Sequence, residues 1–90
     1  MDCKCTGWRK VPGMVAQRQC GPMTRMGLRR IVAGIHRGEK GFHVGLTFLN
    51  PIGLYSGSTY GHHPFTYLRT AKRFADEELR DELRSRFIGC

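Results

Sequence analysis

Apolar residues recur in helical steps along the last third of the chain. Phe65, Leu68, Ala71, Ala75, Leu79 and Leu83 lie three or four positions apart, and Phe87 extends the series. The spacing predicts a long amphipathic helix over residues 64–88, with Pro64 at its first position and Gly89 just past its end. Opposite charges at i, i+4 support it: Lys72–Asp76, Arg73–Glu77, Asp76–Arg80 and Glu82–Arg86, each pair adding about 0.2–0.5 kcal/mol. The stripe advances mostly in fours, so it winds slowly around the helix, and a partner helix would cross it at an angle. The expectation is that another polypeptide covers this side, which makes Phe65, Leu68, Ala71, Ala75, Leu79 and Leu83 a partner-binding face.

Upstream the pattern changes. Phe42, Val44, Leu46 and Phe48 alternate with other residues and read as a strand. Residues 24–41 fit two elements. Leu28, Ile31, Val32 and Ile35 sit at i, i+3, i+4 and i+7 of a helix, with Thr24 as its cap and Gly38 just past its end. The cost is Gly27 and Gly34 inside that helix, roughly 1 kcal/mol each. The rival is a hairpin turning at Gly38–Gly41, in which Ile35 faces Val44, Ala33 faces Leu46 and Ile31 faces Phe48. On its other side His36 would meet His43, and Gly34 would meet Gly45. The helix is preferred because both its start and stop signals are present. Residues 1–23 show no sustained period and read as an irregular basic arm that Trp8 and Met14 anchor to a surface. Residues 50–63 read as an extended glycine-rich connector. The expected fold is therefore one small domain, α+β or mainly α, with boundaries at 1–23, 24–49, 50–63 and 64–88.

Length limits what this domain does alone. A chain of 90 residues with 12 glycines has a marginal core, so partner surfaces are expected to contribute to its stability. The net charge is +8, and the 15 cations are mainly arginine, which suits bidentate contact with phosphate or carboxylate. The charge is uneven, because the acids cluster at Asp76, Glu77, Glu78, Asp81 and Glu82. RNA, anionic lipid and acidic protein surfaces all fit such a chain as partners. The longest apolar stretch, Val44 to Leu54, is too short and too interrupted for a membrane span of roughly 20 residues. The basic, acid-poor N-terminal region resembles a mitochondrial transit peptide in composition, or is simply a basic arm.

Candidate chemistry is sparse. No zinc-protease, nucleophile-elbow or phosphate-loop signature is present, and Gly34 to Lys40 fails the last on spacing. Cys3, Cys5, Cys20 and a histidine offer zinc ligands, but the spacing lacks the paired knuckles of structural zinc sites, so no metal or cofactor is expected. The four cysteines allow two disulfides; without a secretory signal, reduced thiols are expected. Arg25, Arg29, Arg30 and Arg37 would lie on the polar side of the first helix, suited to contacts with phosphate or an acidic surface.

Tyr60, Thr66, Tyr67, Leu68, Ala71, Ala75, Leu79, Arg80, Leu83 and Arg84 stand where comparable residues stand in one known helix. It is that of the mitochondrial ATP synthase epsilon subunit, which carries an aromatic, a Ser/Thr-Tyr-Ile/Leu step, a stripe of small residues and a Val/Leu-Arg-x-x-Leu-Lys/Arg ending. Residues 60–87 resemble that family, with one extra residue near Glu78. The same stretch is similar, at Leu68-Arg69, Lys72-Arg73-Phe74 and Arg80, to the first helix of the mitochondrial LYR-motif proteins. The first resemblance implies a place at the foot of the rotary stalk beside the gamma and delta subunits, with the small alanines permitting close helix approach. The reading reached is a non-catalytic accessory subunit that docks with other protein subunits of a large mitochondrial complex. The alternative is a basic, ribosomal-type RNA-binding subunit.

Overall fold

The computed structural model describes residues 3–24, 27–28, 30–49 and 64–86. Six strands run in chain order: β1 (Cys3–Cys5), β2 (Arg9–Val11), β3 (Met14–Thr24), β4 (Gly27–Leu28), β5 (Arg30–Gly38) and β6 (Gly41–Leu49). One helix, α1 (Leu68–Arg86), follows. The strands form an antiparallel sheet in the order β1-β3-β5-β6. β2 lies further along the same edge of β3 as β1, and β4 pairs with the far end of β3. A Pro12–Gly13 turn links β2 to β3: Pro12 presets its own φ, and Gly13 takes φ 82°, which a side chain would resist.

Register puts the hydrophobic rows on one face. Cys20, Ile31 and Phe48 lie side by side across β3, β5 and β6; so do Arg18, Ala33 and Leu46, and Ala16, Ile35 and Val44. Helix α1 lies on this face, across β5 and β6, and also touches β3. Its stripe closes the core: Ala71 and Ala75 are fully buried, and Leu79 and Leu83 are 2% and 8% exposed. Small residues at the crossing, Ala33 beneath and Ala71 and Ala75 above, let the helix axis approach the sheet, while Ile31, Ile35, Leu46 and Leu79 fill the space around them.

The architecture corrects the expected fold, which was helix-rich α+β or mainly α. The protein is mostly antiparallel β-sheet with a single C-terminal helix among the described residues. No helix forms within 30–38: β5 and β6 pair as the hairpin, with Ile35 on Val44, Ala33 on Leu46, Ile31 on Phe48 and His36 on His43. The irregular arm at 1–23 is also overturned, since it holds β1, β2 and most of β3. The hairpin wins because β3 supplies a second neighbour for β5. Ile31, Ala33 and Ile35 are then all buried on one side, whereas a helix would bury Ile31, Val32 and Ile35 around two glycines.

The helix starts four residues later than predicted. Phe65 is held in an isolated antiparallel bridge to Phe42, each donating its backbone N–H to the other's carbonyl at 2.8 Å. That bridge keeps the chain extended through Phe65, so Pro64 precedes the helix rather than opening it. The connector at 50–63 and the predicted end at Gly89 lie outside the described residues.

Candidate nucleic-acid interface

The two flanks of α1 carry opposite charge. With the Ala71–Ala75–Leu79 stripe against the sheet, 3.6-residue geometry sends Arg69, Lys72, Arg73, Asp76 and Arg80 to the side facing β1 and β2. Glu78, Asp81 and Glu82 go to the other side. Two acids share the basic side, Asp76 and Glu77; Asp76 is held by Arg18 of β3, whose Nη1 donates to Asp76 Oδ1 at 2.7 Å. Arg18 also donates through Nε to the Thr6 carbonyl at 2.8 Å, so one guanidinium ties together β3, the β1–β2 junction and the helix.

Trp8 lies at the centre of this basic side. It sits between β1 and β2 and packs against the edge of the core, half buried, with the Lys72 ammonium 5.9 Å from the ring centroid. Trp8 and the helix enclose an open groove of ≈ 480 Å³, lined by Arg69, Lys72, Arg73 and Arg80 together with Asp76 and Glu77. A second aromatic stands at the mouth of the helix: Tyr67 is 60% exposed, and the Arg69 guanidinium lies 5.5 Å from its ring centroid. Arg9 and Lys10 are exposed on β2, which follows Trp8 directly. The groove thus sets cations beside the Trp8 ring, with the exposed Tyr67 next to Arg69 at the start of the helix, and cations beside an aromatic are what a single strand's phosphates and bases use.

The residues predicted as sites fall differently. Ala71, Ala75, Leu79 and Leu83 are core of this same chain, and Phe65 and Leu68 pack against that core. The stripe predicted to await a partner is the helix's own attachment to the sheet. Arg25 and Arg29 lie outside the described residues. Arg30 and Arg37 belong to β5 rather than to the polar side of a helix, and Arg37 is exposed with its guanidinium 6.0 Å from the Phe42 ring centroid.

Three of the thiols expected to be reduced, Cys3, Cys5 and Cys20, are oxidised, and Cys90 lies outside the described residues. Cys5 and Cys20 are directly paired residues of β1 and β3, with Cα atoms 4.1 Å apart, and they form a disulfide; Cys3 is disulfide-bonded as well. Those bonds remove the cysteines considered as zinc ligands, and no cluster of three or more metal-ligating side chains occurs among the described residues.

The sequence pattern marks Trp8 only as an anchor and the helix cations only as salt-bridge partners. The signal for the groove lies in the helical projection, which separates Arg69, Lys72, Arg73 and Arg80 from Glu78, Asp81 and Glu82. No protein family, no curated protein and no solved structure matches the chain. What fold and site define together, among the described residues, is a class: a disulfide-tied antiparallel sheet backed by one helix, with a cationic groove beside Trp8 along one edge.

Proposed function

We propose that this protein is a small binding module that takes the phosphate backbone of single-stranded nucleic acid in the groove beside Trp8, and that it acts by binding rather than by chemistry. The observation that carries the reading is the gathering of Arg69, Lys72, Arg73 and Arg80 onto the flank of α1 that faces Trp8, four cations against Asp76 and Glu77, of which Asp76 is held by Arg18. Arginine forks recognise phosphate oxygens bidentately, and every such contact releases condensed counterions, which drives association. Trp8 and Tyr67 favour nucleic acid over a sulfated glycan as the polyanion, because base stacking on an aromatic face is worth about 1–3 kcal/mol per base.

An accessory-subunit role within a protein complex would have to use a surface other than the α1 stripe, which is buried. The RNA-binding alternative has one in the groove beside Trp8.

The test is fluorescence anisotropy of a labelled single-stranded RNA, titrated with protein at low and at near-physiological salt. Binding that weakens steeply with salt, and is stronger than to a heparin oligosaccharide of equal charge, supports the reading. Tighter binding to the glycan moves the function to sulfated polyanions. Absence of binding to RNA at low salt rejects it.

A further inference from the structure

A second cavity, of ≈ 240 Å³, lies beneath the same flank of α1, between the helix and strands β1 and β3. Three cysteines, Cys3, Cys5 and Cys20, line it together with Arg18, Asp76 and Arg80. The Cys5–Cys20 bond therefore faces a space that a small thiol can enter. Of its two residues, Cys5 is exposed and Cys20 is 2% exposed, and both line the cavity, so a thiol approaches the bond from the Cys5 side.

The bond also sits at a structural junction. β1 is three residues long and pairs with β3 through three positions only, one of them the disulfide-linked pair itself. Beyond Cys5, the chain is held by Thr6, whose N–H donates to the Gln19 carbonyl at 2.8 Å and whose Oγ1 accepts from the Gln19 N–H at 3.0 Å. Trp8 follows two residues later and forms the wall of the basic groove. An edge strand this short has few contacts of its own, and a covalent link to β3 limits how far it opens.

We infer that Cys5–Cys20 is a redox clasp that holds Trp8 against α1 and so keeps the groove assembled. The inference that reduction weakens polyanion binding rests on the function proposed above; the movement of Trp8 does not.

The chemistry closes with a dithiol as co-reactant. One thiolate of the dithiol attacks Cys5 Sγ, the sulfur–sulfur bond breaks, and Cys20 leaves as a thiolate into a cavity lined by two cations, Arg18 and Arg80, and one acid, Asp76, whose net positive charge favours it. The second thiol of the reductant then displaces Cys5 and becomes half of a new disulfide. In sum, Cys5 and Cys20 gain two electrons and two protons, and the dithiol is oxidised to its disulfide.

Trp8 is the chain's one tryptophan, so its fluorescence reads the clasp directly. The full-length oxidised protein is titrated with dithiothreitol while Trp8 emission, far-ultraviolet circular dichroism and alkylation of each cysteine are followed. The expected result is a red shift of Trp8 emission that tracks alkylation of Cys5 and Cys20, with the sheet signal retained. A Cys5→Ser/Cys20→Ser variant is expected to show the shifted emission before any reductant is added. A Cys3→Ser variant is expected to keep the response, which separates this bond from the disulfide at Cys3. The labelled RNA is then added to each form, and reduction is expected to lower affinity several-fold.

Trp8 emission that stays unchanged while Cys5 and Cys20 are alkylated overturns the clasp. So does loss of the sheet signal together with the shift, because that makes the bond a general stabiliser. If Trp8 moves but the oxidised protein binds no RNA, the clasp stands and the binding proposal alone falls.

Discussion

Arg18 of β3 reaches Asp76 of α1 across 58 residues of sequence, its Nη1 2.7 Å from Oδ1, and is the only cation in the three rows of side chains that the helix covers. It occupies the row of Ala33 and Leu46, where an apolar residue would continue the core. Its position at the end of that row lets the guanidinium emerge at the sheet edge. There it meets Asp76 and the Thr6 carbonyl, with both side chains of the ion pair about one-third exposed (29% and 34%).

The pair is expected to couple measurably but modestly. At this exposure, solvent screens the interaction, and a double-mutant cycle on Arg18→Gln and Asp76→Asn is predicted to give a coupling of up to about 1 kcal/mol by urea unfolding. A coupling indistinguishable from zero would make the pair a consequence of packing and not a contributor to it.

Leu79 tests the attachment of the helix. It is 2% exposed and sits among the largest buried side chains, so Leu79→Ala is predicted to destabilise the isolated protein by about 2–5 kcal/mol. Arg84→Gln, on the exposed side of the same helix, is predicted to change stability by less than about 0.5 kcal/mol. If Leu79→Ala left the melting temperature of the isolated chain unmoved, the stripe would not be packed on its own sheet.

The β5–β6 turn offers a sharper contrast. Gly41 has φ 141°, and a Cβ there would stand 2.5 Å from the Phe65 carbonyl oxygen. A Cβ on Gly38 would meet only the end of the His43 ring, at 2.7 Å, which is free to swing away. Gly41→Ala is therefore predicted to cost about 1–3 kcal/mol and to expose the Phe42 and Phe65 amides to hydrogen exchange. Gly38→Ala should cost distinctly less, and equal losses would refute the assignment of the bridge as the cause.

How much of this is legible in the sequence varies by element. The α1 stripe is readable because a single period runs through Leu68, Ala71, Ala75, Leu79 and Leu83. That period states which side is buried and not what buries it, and the covering surface is the chain's own sheet. The register of β5 on β6 is readable from matched rows, yet Leu28, Ile31, Val32 and Ile35 satisfy a helical period equally well. The strand that breaks the tie, β3, is nearly silent: its inward row is Ala16, Arg18 and Cys20, two small residues and a cation, and shows no hydrophobic alternation. The disulfide is hidden because four cysteines permit three pairings, and only the register of β1 on β3 brings Cys5 opposite Cys20. The groove requires the fold first, since Trp8 and Lys72 are 64 positions apart in the sequence.

The slope of log affinity against log salt for single-stranded RNA, compared between the native chain and an Arg69→Gln/Lys72→Gln/Arg73→Gln variant, tests the proposed interface most directly. Arg69 and Arg73 are exposed and Lys72 is half-buried beside Trp8, and none of the three is in the core, so the variant is expected to fold. If these cations neutralise phosphates, the variant's slope should be shallower by about 0.7 for each cation removed, or about 2 in all. A slope and affinity equal to those of the native chain, with the fold intact by circular dichroism, would place nucleic-acid binding elsewhere on the molecule or nowhere.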